Sequence, residues 1–280
     1  IATNNGGAIY TTNETNIDTN TFANNEANDG GAIYSTSTLT VDNTEFDKNT
    51  AITHGGAIYA SGETTVDNTT FTSNESGING GAIYTTNNVT VQSAVFNSNK
   101  AASGGALYTN AKTTLTNSLF KNNEASINGG AWYANQGSSF VEYTTFTENK
   151  AVADGGAIYT DNTTFVIENS TIHGNQAKKG AGIASNESTV TIVDTTIVSN
   201  RALETGGALY SVDTGNTYII LNSILYGNYA NNASNDIDTK ATDTLNMAYT
   251  IYGTTSQNPN KANNITKMNI ANLADVFVDV

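Results

Sequence analysis

Residues 80–99 read GGAIYTTNNVTVQSAVFNSN, and this stretch contains two motifs that recur through the chain. The first motif, Gly-Gly-Ala-aliphatic-Tyr, returns every 24 to 26 residues and is degraded only in the eighth copy. The copies begin at Gly6, Gly30, Gly55, Gly80, Gly104, Gly129, Gly155, Gly180 and Gly206. One unit repeated at a fixed period indicates a solenoid rather than a globular domain.

A second motif follows each glycine pair at the same period. It consists of an apolar residue, two variable residues and an asparagine. The pairs are Phe22/Asn25, Phe46/Asn49, Phe71/Asn74, Phe96/Asn99, Phe120/Asn123, Phe146/Asn149, Ile172/Asn175, Ile197/Asn200 and Leu225/Asn228. Both motifs in one register indicate that the chain is built from stacked, equivalent units.

The units have the pattern of strands. A branched aliphatic residue stands five positions before the apolar residue of the second motif, as Val66 stands before Phe71, and Thr often flanks it. Alternating Thr and β-branched residues favour strands, and the apolar runs are too short for helices. Parallel stacking of these units predicts an all-β, right-handed parallel β-helix of about nine or more coils with three short sheets. We expect the repeats to cover residues 1–230, and residues 231–280 to form irregular coils, a cap or the start of a further segment.

The columns of equivalent residues predict the cross-section of a coil. The Ile9, Val41 and Phe22 columns should point inward as three stripes of core, because parallel sheets are buried. One turn should lie three residues before the Phe column, at the position of Asn43, which is asparagine in several coils. The Asn25 column should occupy another turn in left-handed backbone, with each asparagine bonded to those above and below it. Alanines two residues later should fill a tight corner, and the glycines should form the third turn.

Composition limits the partners and the chemistry of the chain. Its 25 acidic and 11 basic residues give a net charge of −14, which argues against nucleic acid and anionic membranes as partners. The chain has no Cys, which excludes disulfides and thiolate metal sites, and no motif in it calls for a cofactor. It has no apolar stretch long enough for membrane insertion. Because it opens inside a coil, we expect a monomeric fragment of a larger protein.

The basic residues argue against an enzyme. Polysaccharide lyases and hydrolases built on β-helices need carboxylates together with Arg, Lys or His on one face. Arg201 is the only Arg, and His54 and His173 are about five coils apart. We therefore expect no catalytic residues, and a lyase or hydrolase is the less favoured alternative.

Acidic residues form a column four positions before the second motif. Its members are Asp18, Asp42, Asp67, Glu142 and Glu168. Such a column could bind Ca²⁺ or a glycan, or it could be a solvated outer face. Hard cations need six or more converging oxygens rather than a line, and Gln92 and Thr116 interrupt the column. We favour the solvated face and expect no metal site.

The tyrosine of the first motif is the best candidate for a binding surface. Strict alternation places Ile9 and Tyr10 on opposite faces of a strand, and a buried tyrosine hydroxyl would need a partner. We therefore expect an outward column with a gap at Ala184, formed by Tyr10, Tyr34, Tyr59, Tyr84, Tyr108, Tyr133, Tyr159 and Tyr210. The column could bind a glycan or a protein, or it could only stabilise the sheet as a stacked ladder. Trp132 stands in the core-facing column, as a core filler or, in a reversed register, as a surface anchor.

The paired motifs resemble the repeats of the polymorphic membrane proteins of chlamydiae and of adhesin-like β-helix proteins of other microbes. The resemblance covers about Gly6 to Asn228, although the chain lacks the Cys of the chlamydial type. It implies an extracellular or cell-surface adhesin fragment whose partner is a host or microbial surface glycan or protein. A structural stalk that displays another domain is the main alternative.

Overall fold

The computed structural model describes residues 4–255, which form a right-handed parallel β-helix of ten coils. We number the coils one to ten in chain order, and each of the first nine begins at the first glycine of the first motif. Each of the first nine coils contributes one strand to each of four ten-stranded sheets, and the tenth coil contributes a strand to three of them. Equivalent residues of neighbouring coils pair in register, as Tyr59 pairs with Tyr84. The expected β-helix is therefore confirmed.

The strands of the second sheet are four or five residues long, and the third sheet contributes the Phe column to the core. The first sheet contains Ile9–Thr11, Ile33–Ser35, Ile58–Ala60, Ile83–Thr85, Leu107–Thr109, Trp132–Asn135, Ile158–Asp161, Ile183–Asn186, Leu209–Ser211 and Ile237–Asp238. The second contains Thr15–Asp18, Leu39–Asp42, Thr64–Asp67, Val89–Gln92, Thr113–Thr116, Ser138–Glu142, Thr164–Glu168, Thr189–Val193, Thr217–Leu221 and Thr244–Ala248. The third contains Thr21–Ala23, Glu45–Asp47, Thr70–Thr72, Val95–Asn97, Leu119–Lys121, Thr145–Thr147, Thr171–His173, Thr196–Val198, Ile224–Tyr226 and Ile251–Tyr252.

A fourth sheet corrects the expectation of three. It contains Glu26–Ala27, Thr50–Ala51, Glu75–Ser76, Lys100–Ala101, Glu124–Ala125, Lys150–Ala151, Gln176–Lys179, Arg201–Thr205, Tyr229–Ala230 and Ala233–Ser234. The alanines expected at a tight corner are the buried residues of these strands, as at Ala125 and Ala151. The last pairing, between Tyr229–Ala230 and Ala233–Ser234, is antiparallel.

The core consists of stacked columns, as expected. The equivalents of Ile58, Val66 and Phe71 are fully buried in coils two to nine, whereas Ile9 and Phe22 of coil one are partly buried. The Phe rings from coil one to coil six stack with centroids 4.4 to 5.1 Å apart. Trp132 is fully buried in the Ile column, where its Nε1 donates to Thr109 Oγ1 at 3.1 Å, so it fills the core and is not a surface anchor.

The corners use left-handed backbone, but at one position the sequence expectation was wrong. Asn43 and Asn68 have φ values of 46° and 43°, as expected for the turn before the Phe column. At the next corner the left-handed residue is the one before the buried asparagine, such as Ser73 with a φ of 54°. The buried asparagine itself is free to point inward because its predecessor makes the turn.

These asparagines form a continuous ladder from Asn25 to Asn228, and those from Asn49 onward are fully buried. In each coil, the backbone N–H and the side-chain Nδ2 both donate to the Oδ1 of the asparagine in the next coil. Asn74 makes these two bonds to Asn99 at 2.9 and 3.0 Å, and its Nδ2 also donates to the carbonyl of Phe46 at 3.0 Å. Each amide therefore joins three coils, and its polar atoms are satisfied although it is fully buried.

The glycine pair allows coils to approach closely. Gly55 has a φ of +64°, which a residue with a side chain rarely adopts. A Cβ on Gly56 would lie 2.1 Å from the backbone oxygen of Gly81 in the next coil. The second glycine is therefore required by packing between coils rather than by its own backbone conformation.

The first three sheets continue through Ile237–Asp238, Thr244–Ala248 and Ile251–Tyr252, which make up the tenth coil. The strands expected from Ile265, Met268, Ile270, Leu273 and residues 276–278 lie outside the described residues. No helix among residues 4–255 has the length and hydropathy needed to cross a bilayer.

Candidate functional site

The eight tyrosines lie in one column on the outer face of the first sheet. From Tyr34 onward, each follows a buried aliphatic or Trp residue of its strand and precedes another buried residue, so the alternation holds. Tyr10, in the first coil, is 60% exposed, and the five tyrosines from Tyr34 to Tyr133 are half-buried. Tyr159 and Tyr210 are only 6% exposed. The accessible part of the column is therefore its first six rings.

Stacking between coils covers the faces of these rings. Successive centroids from Tyr10 to Tyr159 are 4.6 to 5.5 Å apart, with interplanar angles of 3° to 29°. Carbohydrates that bind by stacking need an open ring face, and here neighbouring rings occupy both faces of every interior tyrosine. The column presents ring edges and hydroxyl groups instead.

A polar row two residues further along each strand shares this face. In coils one to four the row is made of Thr and Ser, and in coils five to eight it contains Asn110, Asn135, Asp161 and Asn186. Asn110 Nδ2 donates to the hydroxyl of Tyr84 at 3.1 Å. The hydroxyl of Tyr133 donates to Asp161 Oδ2 at 2.8 Å. The polar row therefore orients some of the tyrosine hydroxyls.

Side chains of this row also bond to one another along the rod. Asn135 Nδ2 donates to Asn110 Oδ1 at 2.7 Å, and Asn186 Nδ2 donates to Asp161 Oδ1 at 2.9 Å. These residues were not expected from the sequence to belong to the site. Their spacing of two residues from the tyrosine, on the same side of a strand, is the signal that could have found them.

The opposite flank of the column contains His54. Its ring stacks on Tyr84 with centroids 4.5 Å apart, and its backbone N–H donates to Asp29 Oδ1 at 3.1 Å. Burial lowers the pKa of His54, and the negative charge of Asp29 opposes this shift. The neutral imidazole thus packs as an additional flat ring beside the column.

Burial also acts on the tyrosine hydroxyls. It raises the pKa of Tyr59 and of Tyr108 to about 12, and it raises the pKa of Tyr84, Tyr133 and Tyr159 above the ordinary range. Desolvation of the ionised phenolate is the main cause in each case. At neutral pH these five hydroxyls are therefore uncharged and can both donate and accept hydrogen bonds.

The column ends at the gap left by Ala184. Two ammonium groups lie over the ring of the next tyrosine, Tyr210, with Lys179 Nζ at 5.3 Å and Lys240 Nζ at 5.0 Å from its centroid. These are cation–π distances. The C-terminal end of the column is thus closed by positive charge.

The acidic column lies elsewhere, on the outer face of the second sheet. Asp18 Oδ1 accepts hydrogen bonds from Asn43 Nδ2 at 3.0 Å and from Thr19 Oγ1 at 2.9 Å, and these bonds lower its pKa. Within residues 4–255, no three His, Asp or Glu side chains converge in a way that could hold a metal ion. Asp18 and Glu142 instead accept hydrogen bonds from corner asparagines of the next coil, Asn43 and Asn169.

The three residues considered for catalysis lie in three different coils, and His173 and Arg201 lie on different sheets. His173 ends a strand of the third sheet in coil seven, whereas His54 precedes a glycine pair at the end of coil two. Arg201 begins a strand of the fourth sheet, and its Nη2 donates to Asn232 Oδ1 at 3.2 Å. The structure brings none of these three residues together.

Comparisons with known proteins agree with this geometry. The repeat described as the Chlamydia polymorphic membrane protein repeat matches residues 21–36 and 43–61, which confirms the resemblance carried by the two motifs. The family described as the right handed beta helix region matches residues 57–225. No curated protein and no solved structure matches the chain.

The polymorphic membrane protein repeats and the β-helix together are typical of adhesin-like passengers at a cell surface. The match to the β-helix family covers more than half of the 280 residues, and the four stacked parallel sheets have the architecture that its description names. The chain therefore belongs to the right-handed β-helix family.

Proposed function

We propose that this chain is part of an extracellular or cell-surface adhesin and binds a host or microbial surface ligand along the tyrosine column. The observation that supports this function is the run of six accessible tyrosines in one column, from Tyr10 to Tyr133, on a rigid sheet. Exposed tyrosines are enriched at recognition surfaces because they combine apolar area with a hydrogen-bonding group.

The geometry determines how such a ligand is held. The hydroxyls and ring edges recur once per coil, and the faces of the rings are covered by their neighbours. An extended glycan or polypeptide that repeats its own polar groups can therefore lie along the column and bond to several coils. Each contact is weak, and the contacts add because one ligand engages many coils.

A structural stalk is the second candidate, and one observation favours it. Tyr159 and Tyr210 are almost fully buried, so at least this part of the column serves packing rather than binding. Stacked aromatic residues on neighbouring strands stabilise a sheet without any ligand. Both candidates place the rod at the cell surface, and binding by the chain alone distinguishes them.

The decisive experiment compares two triple variants of the 280-residue chain. Substitution of Tyr59, Tyr84 and Tyr108 by Ser removes the rings, whereas substitution of the same residues by Phe keeps the stack and removes only the hydroxyls. Tyr143→Ser is the matched control, because Tyr143 is 58% exposed at another corner and Ser93 occupies the equivalent position in coil four.

Binding to host cells and to a glycan array is measured for each protein, with folding checked by circular dichroism. For the adhesin, both triple variants lose most of the binding and Tyr143→Ser keeps it. If the triple Ser variant stays folded and binds as well as the unmodified chain, the tyrosine column is not the binding surface. An unmodified chain that binds neither cells nor glycans would leave the stalk as the better function.

We also propose that the chain is not an enzyme. Glycosidic bond cleavage needs an acid, a base and a cationic or polar stabiliser within a few ångströms of one bond. Turnover of pectin, alginate or a mucin glycan by the purified chain, lost when one carboxylate is mutated, would overturn this part of the proposal.

A further inference from the structure

Every large aliphatic side chain that is exposed within residues 4–255 lies along the fourth sheet. These residues are Ile52, Ile78, Ile127, Val152 and Leu203, and they are 45% to 64% exposed. Each stands three or four positions after the buried asparagine of its coil. A row of exposed apolar side chains, bordered by polar residues, is typical of an interaction surface.

A column of mostly charged residues runs beside this apolar row, with one residue in each of coils one to eight, paired strand to strand. In chain order the column is acidic, neutral, acidic, basic, acidic, basic, neutral and basic. The same series is obtained when both its order and its signs are reversed. Under this operation Glu26 corresponds to Arg201, Glu75 to Lys150 and Lys100 to Glu124, and the neutral Thr50 corresponds to Gln176.

We propose that two copies of this chain associate side by side and antiparallel through the fourth sheet, about a two-fold axis between coils four and five. Coil one of one copy then faces coil eight of the other, and coil four faces coil five. Each charged residue of the column meets a residue of opposite charge, and each neutral residue meets a neutral one. The contact is isologous, as in most homodimers.

The order of charges selects this register over its neighbours. A slip by one coil in one direction brings Lys100 against its own copy and Glu75 against Glu124. A slip in the other direction brings Glu124 against its own copy and Lys100 against Lys150. A parallel arrangement in register would place every charge against itself, and such like-charge contacts give specificity by penalising the wrong partner.

The apolar row is compatible with the same axis. Ile78 in coil three faces the level of Val152 in coil six, and Ile127 in coil five faces the level of Ala102 in coil four. Eight coils at about 4.8 Å each give a strip roughly 38 Å long. A strip about 10 to 15 Å wide would bury on the order of 400 to 600 Å² per copy, at the low end for specific interfaces. We therefore expect a weak, concentration-dependent dimer, in contrast to the monomer expected from the sequence.

Ion pairs within one chain do not account for the whole charge series. Glu124 lies 3.8 Å from Lys100 and 3.6 Å from Lys150, so the central coils also pair internally. At the ends of the column, however, Glu26 stands beside Thr50 in the sheet, and Arg201 stands between Gln176 and Tyr229. Ion pairs between neighbouring strands of one chain therefore do not explain the charges of Glu26 in coil one and Arg201 in coil eight. The antiparallel dimer explains them, because it places these two residues opposite each other.

The test exploits the two central pairs. Lys100→Glu places like charges at both central contacts of the dimer, and so does Glu124→Lys. A mixture of the two variants restores opposite charges at both contacts. Lys121→Glu is the control, because it changes the net charge equally in coil five but lies on the third sheet. Sedimentation velocity over a wide range of concentration at low salt measures association, and circular dichroism checks that each variant is folded.

We expect the unmodified chain and Lys121→Glu to form the same dimer, and each central variant alone to associate about tenfold or more weakly. The equimolar mixture should recover the dimer, and added salt should weaken all of these associations. Ile78→Ser should weaken association without any change of charge. An unmodified chain that stays monomeric at every concentration, or a mixture that fails to recover the dimer, would overturn the proposal.

Discussion

Asp236 Oδ1 accepts hydrogen bonds from both the backbone N–H and the side-chain Nδ2 of Asn228, at 3.0 and 2.8 Å. At every earlier step of the buried ladder the acceptor is another asparagine. Asp236 is fully buried, and its Oδ2 accepts from the backbone N–H of Thr254 at 2.9 Å. A carboxylate thus ends a chain of aligned amides whose N–H groups all point toward it, and these donors offset part of the cost of burying its charge.

The first prediction concerns the pH dependence of this terminal step. Burial raises the pKa of Asp236, against the lowering effect of its hydrogen bonds. Since the folded pKa lies above the unfolded value of about 3.9, the folded state binds the proton more tightly. The contribution of Asp236 to the free energy of unfolding is therefore fully present below the unfolded pKa and is lost as the pH rises through the folded pKa.

Asp236→Asn removes this dependence while keeping an acceptor for Asn228. The stability of the variant relative to the unmodified chain should decrease as the pH falls from neutral toward about 4. Hydrogen exchange at the Asn228 and Thr254 amides, analysed as free energies of local opening, measures the difference. A difference that does not change with pH would contradict the raised pKa.

Asn99→Ala should destabilise the rod strongly. The substitution leaves the N–H and Nδ2 of Asn74 without their acceptor, and it removes one donor each from Asn123 Oδ1 and the Phe71 carbonyl. Buried groups that lose their partners cost about 1–3 kcal/mol each, so we expect a loss of roughly 3–6 kcal/mol. Urea unfolding measures it, with the exposed Asn16→Ala as a control that should change stability by less than about 0.5 kcal/mol. Similar small losses in both variants would show that the ladder contributes little.

Phe96→Ala should cost about 3–5 kcal/mol, because it removes a fully buried ring from the middle of the Phe stack. The ring lies 4.8 Å from that of Phe71 and 4.4 Å from that of Phe120. Phe96→Ile is the matched variant, since Ile172 occupies the same column in coil seven, and it should cost clearly less. Equal losses of unfolding free energy in the two variants would mean that volume at this position is not what matters.

The tyrosine column predicts a loss of stability in alkali. The pKa of Tyr59 and of Tyr108 is raised to about 12, so these hydroxyls keep their protons in the folded chain after they have ionised in the unfolded chain. Their contribution is present below about pH 10 and is lost as the pH rises toward 12. The double variant with Phe at both positions cannot ionise there, and its melting temperature should fall less between about pH 9 and about pH 11. Tyr143→Phe serves as the control. If the melting temperature of the double variant falls as steeply as that of the unmodified chain, the raised pKa of these tyrosines is refuted.

Much of the fold could be predicted because each coil repeats the same residue types in the same order. The inward Ile, Val and Phe columns follow from alternation and from the need of parallel sheets for continuous burial. The fourth sheet could not be predicted in this way. Its strands are only two residues long in most coils, such as Glu75–Ser76, and two residues show no alternation.

Less of the candidate site could be predicted. Alternation places Tyr59 and Tyr84 on the outer face, but it does not predict how much of each side chain is buried. Their burial depends on the stacking of whole rings between coils and on His54, which packs against Tyr84 from a neighbouring segment. The repeat also could not predict the residue that ends the asparagine ladder, because Asp236 follows Asn228 by eight residues rather than by a full period.

Because the period of the coils is nearly constant, whole coils can be lost or gained without disturbing the columns. Loss of residues 80–103 would join Asn79 directly to Gly104, and every column of the rod would continue across the junction because Gly104 repeats the role of Gly80. Recombination between repeats within one gene would thus shorten or lengthen the protein by about 4.8 Å per coil without creating a foreign junction. A lineage could in this way adjust the length of such a rod, with no substitution in any coil.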